Sequence, residues 1–400
     1  MKSALRLLEG LSILFVIVSI FGALFWPAQR TFIFDDILLP FALINLIIVF
    51  LQKPKWRVII ALFVAMCAWG LISDFLANDG LRTSTLGLLI RWLKWPTIIA
   101  TIVTIRHFEI KKKDVVNFIS LTFLALSSIN LILLINPLHF GELLHMVYSP
   151  KIQVLLGNYH EFGGFRLSGT MRNPNNNAAI FGLFLIFFLC LNPSKYWKYC
   201  VLAFFFIFLT QSRTMLLIIL GIITLVVLKS NTRKMNMFLI PTGILGVISL
   251  LFMFRSTNLM SILSGQAFLS NSWTERMSHY SVFFNSPNTD KFLGHGIILD
   301  PLASVGVYFD SEYLSILFQY GIVGLAILTA ITFYLPFLIK KITGYSFFGW
   351  LLVIFIFGIG STNFVFLNVE IISLLSLLLG VWFFLHSEKK INNHPQEESK

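Results

Sequence analysis

Long runs of apolar residues alternate with short polar segments along the whole chain, and this pattern predicts a set of membrane-spanning helices. A helix needs about 20 predominantly apolar residues to cross the hydrocarbon core of a bilayer. We therefore expect an all-α polytopic integral membrane protein with about 12 transmembrane helices, forming a single polytopic membrane domain over residues 1–386. The predicted spans lie at roughly 7–25, 36–51, 57–74, 87–106, 115–135, 175–191, 197–211, 213–229, 236–254, 313–339, 346–363 and 366–386.

The basic residues favour one orientation of these helices. With the N-terminus in the cytoplasm, 19 of the 30 Lys and Arg residues fall in inner segments and nine in outer segments. Cytoplasmic loops are enriched in Lys and Arg, so both termini are expected to be cytoplasmic. The charged tail over residues 387–400 is expected to be disordered.

Two outer segments, at about 136–174 and 255–312, are too long to be tight turns. Each contains short amphipathic stretches, such as "PLHFGELLHMVYSP" and "NLMSILSGQAFL", and such stretches tend to lie along the membrane surface. These two segments are the predicted periplasmic loops.

The composition agrees with a membrane location. Hydrophobic residues make up 57% of the chain and charged residues only 12%, whereas a soluble domain carries about 25% charged residues. The net charge of +12 resides largely in loops beside apolar runs, so it indicates orientation and not nucleic-acid binding. The three cysteines have no ligand-like spacing, and neither a metal site nor a cofactor is predicted.

The outer basic residues are mostly arginines, which bind phosphate or carboxylate groups with a planar fork. Arg213 in "LTQSRTMLL" lies between two spans joined by almost no loop. It is either an inward-facing arginine of a cavity, or a snorkelling side chain, or part of a helix cap together with Ser212 or Thr214. Arg166 and Arg172 bracket "LSGTM", and Asn173–Pro174 then has the form of a helix start whose positive dipole end would face an anion. Asn175 belongs to the same run of asparagines.

Three further basic residues are candidate anion-binding residues, and each allows two interpretations. Arg276 in "SNSWTERMSHY" fits either a site residue or a solvated charge on an interfacial helix. Arg91 and Lys94 in "LIRWLKWPT" share a helix face within a span. They fit either an anionic head-group site or a structural ion-pair network with Asp74 or Asp79.

Acidic residues and a histidine follow in the second outer segment. Gly294 and Gly296 permit a tight turn around His295, and Asp310 and Glu312 precede the next span. An acid in the first helical turn is favoured by the helix dipole, so Asp310 fits a helix cap. It also fits a general base beside a cationic pocket, with Glu312 and His295 as alternatives.

In order and topology, the motifs resemble those of the O-antigen polymerase and O-antigen ligase superfamily of bacterial inner membranes. The matching stretches are "RLSGTMRNPNNNA", "TQSRT", "SWTERMSHY", "FLGHG" and "DSEYLSILFQYGIVGL", which together cover roughly residues 160–330. Asp310 stands where ligases typically carry a histidine, so the resemblance favours the O-antigen polymerase (Wzy type).

The resemblance implies a metal-independent, GT-C-like glycosyltransferase that uses undecaprenyl-diphosphate-linked oligosaccharide at the periplasmic face of the inner membrane. Arg213 and Arg276 match arginines that bind the diphosphate in this family. Membrane lipid, a chain-length regulator and a flippase of the same pathway are the expected partners. An O-antigen ligase that transfers glycan to lipid A–core is one alternative, and a lipid-linked oligosaccharide flippase or transporter is another.

Overall fold

Helices dominate the computed structural model and follow the hydropathy pattern closely. It describes residues 2–25, 33–78, 83–105, 110–135, 166–167, 169–171, 173–229, 243–244, 247, 281, 284–285, 288–296, 311–361, 363 and 365–386. No strand occurs within these ranges, so the all-α fold class is confirmed. The predicted tail over 387–400 lies outside the described residues, and so does the predicted span at 236–254 apart from three positions.

Eleven long helices are present in the described part of the chain, and they correspond to eleven of the predicted spans. A short helix of the second outer segment makes twelve labelled elements. They are α1 (Lys2–Phe25), α2 (Ile33–Gln52), α3 (Arg57–Asn78), α4 (Thr83–Thr104), α5 (Lys112–Ile135), α6 (Pro174–Leu191), α7 (Pro193–Leu209), α8 (Arg213–Lys229), the short α9 (Asn288–Leu293), α10 (Glu312–Thr343), α11 (Phe347–Gly360) and α12 (Val369–His386).

Seven of the described helices are long and apolar enough to cross a membrane, namely α1, α2, α3, α5, α6, α10 and α12. The charged residues Arg91 and Lys94 lie in α4, while α7 and α8 have 17 residues each and α11 has 14. The polytopic membrane architecture is therefore confirmed, whereas the count of about 12 crossings stays a prediction.

Helix α6 lies at the centre of the bundle. Every residue from Asn177 to Leu189 is buried, and a helix that is apolar on all sides is typically enclosed by other helices. Its phenylalanines pack against neighbouring helices, as Phe181 does on Phe206 of α7 with ring centroids 4.6 Å apart. The asparagine-rich motif "NPNNN" therefore begins a helix that is enclosed by its neighbours among the described residues.

Hydrogen bonds between segments define the two ends of the bundle. At one end the residues before α6 contact the ends of α1 and α7: Thr170 Oγ1 donates to Leu24 O at 3.0 Å, and Leu167 N donates to Leu209 O at 3.0 Å. Arg166 and Arg213 lie here, and we call it the arginine end. The start of α10 and the connection between α11 and α12 also lie at this end, because Asn363 bonds to Asn176 and Glu312 bonds to Phe366 N.

At the opposite end, basic residues of the α2–α3 connection bond to the last turns of three helices. Lys53 Nζ donates to Val103 O at the end of α4, and Lys55 Nζ donates to Lys341 O at the end of α10. Arg57 donates to the Phe50 and Leu51 carbonyls at the end of α2. Cations are favoured at helix C-termini, where the carbonyl groups have no helical partner.

Helix α10 is broken at Gly321, which has φ 64° and ψ −169°. The break leaves carbonyls of the preceding turn without helical partners, and other elements supply donors. Trp69 Nε1 donates to Tyr320 O at 2.7 Å, and Ser73 Oγ donates to Gln319 O at 3.0 Å. Backbone that departs from a helix within a membrane requires such partners.

Candidate functional site

Arg166 and Arg213 come together at the arginine end. Arg166 is half-buried, and its Nε donates to Thr210 O at 3.1 Å. Arg213 is the first residue of α8 and is exposed. Burial, and then the positive charge of Arg213, lower the pKa of the Arg166 guanidinium. Two like charges held close together, beside the N-terminal turns of α6 and α8, form a suitable surface for an anion.

The turn before Arg213 has an uncommon backbone conformation. Gln211 in "TQSRT" has φ 51°, and it alone among the described non-glycine residues has a positive φ. Thr210 and Ser212 on either side are buried, and Ser212 O accepts the first helical hydrogen bond of α8 from Leu216 N. Backbone in this sparsely populated region concentrates at functional sites. The turn directs Arg213 outward at the start of α8.

Asn173, Pro174 and Asn175 build the start of α6 in the way that the sequence predicts. Asn173 is the N-cap, its side chain accepts a hydrogen bond from Asn175 N at 2.8 Å, and Pro174 occupies the first turn. The side chain of Asn175 then accepts a hydrogen bond from Arg166 Nη2 at 3.1 Å. Asn175 therefore orients an arginine, and Asn173 is exposed at the helix start.

The next two asparagines connect α6 to other segments. Asn176 Oδ1 accepts a hydrogen bond at 2.6 Å from Nδ2 of Asn363, which lies in the connection between α11 and α12. Asn177, which is fully buried, donates to Asn130 Oδ1 of α5 at 2.9 Å and to Leu167 O at 3.3 Å. Helix capping explains the first asparagine, and contacts to three other segments explain the remaining ones.

Glu312 is fully buried at the first position of α10. Its Oε1 accepts hydrogen bonds from the backbone N–H groups of Phe366 and Leu367, at 2.5 and 2.8 Å. The preceding residue, Ser311, donates from its hydroxyl to Gly360 O at 3.1 Å. Glu312 therefore holds the connection between α11 and α12, and its carboxylate does not face solvent.

His295 lies in a turn that is docked onto the break in α10. Gly294 and Gly296 have φ 84° and 77°, so the tight turn predicted around His295 is confirmed. His295 N donates to Phe318 O at 2.8 Å, and Gly296 N donates to Gln319 O at 3.1 Å. The imidazole stacks on the Phe318 ring with a centroid distance of 4.3 Å. This turn is thereby fixed to the first half of α10, which begins with Glu312.

Lys94 has two acidic partners within the bundle. Its Nζ lies 2.7 Å from Asp35 Oδ2 and 2.5 Å from Asp36 Oδ1, both in the first turn of α2, and Ser19 Oγ also donates to Asp35. The ion-pair network considered for Lys94 is therefore present, but with Asp35 and Asp36 instead of Asp74, while Asp79 lies outside the described residues. Intramembrane charges usually pair in this way.

Several candidates cannot be placed. Arg172, Arg276 and Asp310 lie outside the described residues, as does the side chain of Arg91. The two predicted periplasmic segments, 136–174 and 255–312, are described only in part. Within the described residues, no group of three or more His, Cys, Asp or Glu side chains could hold a metal ion.

Sequence reasoning missed four residues of the polar network at the arginine end: Asn130, Asn176, Asn177 and Asn363. Asn130 lies inside the predicted span 115–135, just after Ser127 and Ser128, and Asn363 ends the predicted span 346–363, just after Ser361 and Thr362. An amide in a membrane span commonly bonds to a neighbouring helix, and this was the available signal.

Comparison with known proteins agrees with this architecture. Residues 199–329 match a family model described as O-Antigen ligase, and this range includes Arg213, His295 and Glu312. No curated protein and no solved structure matches the chain.

The family match supports O-antigen polymerase or ligase activity in a multi-pass bacterial membrane protein. The family's enzymes are glycosyltransferase-like and its substrates are lipid-linked glycans. The flippase alternative gains no support. Over residues 199–329 the match agrees with the resemblance seen in the motifs.

Proposed function

We propose that the protein is a polymerase of O-antigen or a related surface polysaccharide, and that it joins undecaprenyl-diphosphate-linked repeat units at the arginine end. The juxtaposition of Arg166 and Arg213 beside two helix N-termini carries this proposal. A lipid diphosphate presents its anionic group at the membrane surface, where the arginine end of the bundle is expected to lie. Arginines bind phosphate oxygens in bidentate fashion and retain their charge.

In the proposed reaction a sugar hydroxyl of one lipid-linked unit attacks the anomeric carbon of a second glycan chain. A new glycosidic C–O bond forms, and the bond between the anomeric carbon and the diphosphate oxygen breaks. Its electron pair leaves with the undecaprenyl diphosphate, whose charge Arg166 and Arg213 stabilise together with Arg276 and Arg172. Attack opposite the leaving group inverts the anomeric centre, and neither a nucleotide nor a metal ion takes part.

Asp310 is the proposed general base, which takes the proton of the attacking hydroxyl. The contacts of the other two candidates support this choice. Glu312 is fully buried and bonded to backbone N–H groups, and the His295 ring stacks on Phe318. A base has to reach the hydroxyl directly or through one water, and a fully buried carboxylate does not.

O-antigen ligase is the second candidate, because the family match supports polymerase and ligase activity alike. Deletion of the gene and complementation, followed by lipopolysaccharide gels, separates the two. If the protein is a polymerase, the ladder disappears and one repeat unit stays on the core. Loss of every O-antigen band, with accumulation of lipid-linked polymer, would establish the ligase instead.

The proposed diphosphate pocket is tested with Arg213→Ala, Arg166→Ala and Arg213→Lys. Loss of one preorganised donor reduces kcat by about 10²-fold or more, and the lysine variant should be intermediate because it retains charge without the planar fork. Arg6, an exposed arginine of α1, supplies the control Arg6→Ala. A full ladder from Arg213→Ala and Arg166→Ala proteins that insert at normal levels would refute the pocket.

A further inference from the structure

The connection between α11 and α12, residues 361–368, is attached to two other parts of the arginine end. We call it the 361–368 loop. Asn363 Nδ2 bonds to Asn176 at the start of α6, and the backbone N–H groups of Phe366 and Leu367 bond to Glu312 at the start of α10. Asn368 caps α12, its side chain accepting from Ile371 N at 3.0 Å. The described residues of this loop, 361, 363 and 365–368, are therefore fixed to α6, α10 and α12.

Phe366 anchors the loop through its side chain as well. Its ring packs against Trp92 and Trp95 of α4, with centroid distances of 6.3 and 5.7 Å, and the residue is 2% exposed. Aromatic pairs at these distances add to the energy of burial. The first half of α10 joins the same cluster, because Trp92 Nε1 donates to the Tyr320 hydroxyl at 3.4 Å.

Holding the loop through Glu312 costs free energy, because its polar side chain is removed from water. It is fully buried, its Oε1 serves the loop backbone, and its Oε2 has no hydrogen-bond partner. Burial of an incompletely bonded polar group lowers stability, so a stability role alone is a poor explanation. Such a cost is expected where the position of the held segment matters for function.

The loop is continuous with the arginine pocket through adjacent residues of α6. Asn175 bonds to Arg166, and the next residue, Asn176, bonds to Asn363 of the loop. A chain of polar contacts therefore runs from the arginines, across the first turn of α6 and along the loop, to Glu312. The loop lies outside the part of the chain that matches the family, residues 199–329.

We propose that the 361–368 loop forms one wall of the glycan-binding site beside Arg166 and Arg213, with Glu312 and Asn363 as its positioning residues. This inference rests on the proposed function, since it assigns a sugar-contacting surface to the same site. Glu312 acts through the loop and does not exchange a proton with substrate. Misplacement of a substrate-orienting segment weakens productive binding even when the reacting groups are intact.

Glycan transfer by the purified full-length protein, with an undecaprenyl-diphosphate-linked oligosaccharide as donor, tests the positioning role. Glu312→Gln keeps a carbonyl oxygen for the two backbone N–H groups and should retain kcat within about threefold, whereas Glu312→Ala and Asn363→Ala should raise KM about tenfold. Asn45→Ala is the matched control, because it removes a buried amide that bonds to Thr101 within the bundle. It should leave KM unchanged.

Thiol protection tests the wall directly. Ser361 is exposed, so a maleimide should label Ser361→Cys, and the oligosaccharide donor should slow that labelling at least fivefold, about 1 kcal/mol. Tyr345→Cys, in the exposed connection between α10 and α11, is the control that the donor should not protect. The wild-type protein gives the background from its own cysteines.

The outcomes separate this proposal from the proposed function. If the wild-type protein transfers no glycan, the proposed function fails. If the wild type is active but donor leaves the labelling of Ser361→Cys unchanged, the wall assignment is wrong. Loss of kcat in Glu312→Gln, with donor KM and thermal stability unchanged, would make Glu312 a base and overturn its positioning role. Donor protection together with a KM effect confined to Glu312→Ala and Asn363→Ala supports the proposal.

Discussion

Gly321 is the residue at which the structure makes its sharpest energetic prediction. A Cβ at this position would lie 2.2 Å from the Phe292 carbonyl oxygen, which is backbone and cannot rotate away. The conformation itself, φ 64° and ψ −169°, is essentially restricted to glycine and costs other residues about 1–3 kcal/mol. Separation of the two segments would also weaken the hydrogen bonds from His295 N and Gly296 N, at about 1 kcal/mol each.

The expected loss of stability for Gly321→Ala is therefore about 3 kcal/mol or more. Two other glycines isolate the contributions. Gly344 has φ 85° with open space around it, so Gly344→Ala should cost about 1–2 kcal/mol from conformation alone. Gly221 is exposed within α8 and has neither constraint, so Gly221→Ala should be neutral or stabilise by about 0.5–1 kcal/mol.

Thermal unfolding in a single detergent measures the series. A thiol-reactive dye reports it well, because Cys67 and Cys200 are buried and become reactive on unfolding. The midpoint should fall in the order Gly221→Ala, Gly344→Ala, Gly321→Ala, with the last far below the others. Equal midpoints for Gly344→Ala and Gly321→Ala would refute the close backbone contact between α10 and the His295 turn.

Two further predictions use the same unfolding assay. Lys94→Met leaves Asp35 buried without its cation and should cost about 3–5 kcal/mol, and Asp35→Asn in the same protein should recover part of that loss; no recovery would contradict the ion pair. The variants Asn130→Ala and Asn177→Ala, alone and combined, should show a coupling energy of about 1 kcal/mol through their amide bond. Fully additive effects would show that this bond contributes nothing.

The hydropathy pattern predicted the helices well because each helix satisfies its own backbone and exposes an apolar surface to lipid or to other helices. The predicted spans at 175–191 and 213–229 nearly coincide with α6 and α8. The start of α6 could also be predicted, since an asparagine cap followed by proline depends on neighbouring residues alone. Local rules were sufficient at these positions.

The break in α10 could not be predicted in the same way. The span at 313–339 is continuous in hydropathy, and Gly321 differs from an ordinary helical glycine only because the turn of residues 294–296 docks against it. For the same reason the role of Glu312 was missed. Its partners, Phe366 and Leu367, lie more than 50 positions away in the sequence. They contribute backbone N–H groups, which every residue except proline has, so the side-chain sequence does not indicate the contact.

The partner of Lys94 shows a similar limit for charge. Asp74 is closer to it in sequence than Asp35 and Asp36 are, yet the contact between α2 and α4 decides the pairing. Opposite charges within spans predict that a pair forms, but the choice of partner depends on which helices are neighbours.

The basic residues of the α2–α3 connection carry a practical consequence for topology mapping. Lys53, Lys55 and Arg57 belong to the charges that are predicted to orient the chain during insertion, and in the folded protein they also bond to the last turns of α4, α10 and α2. Neutralising them to probe orientation would therefore fray three helices in a correctly oriented protein. Reporter fusions that lose signal after such changes would then reflect degradation of a misassembled chain as well as inverted insertion.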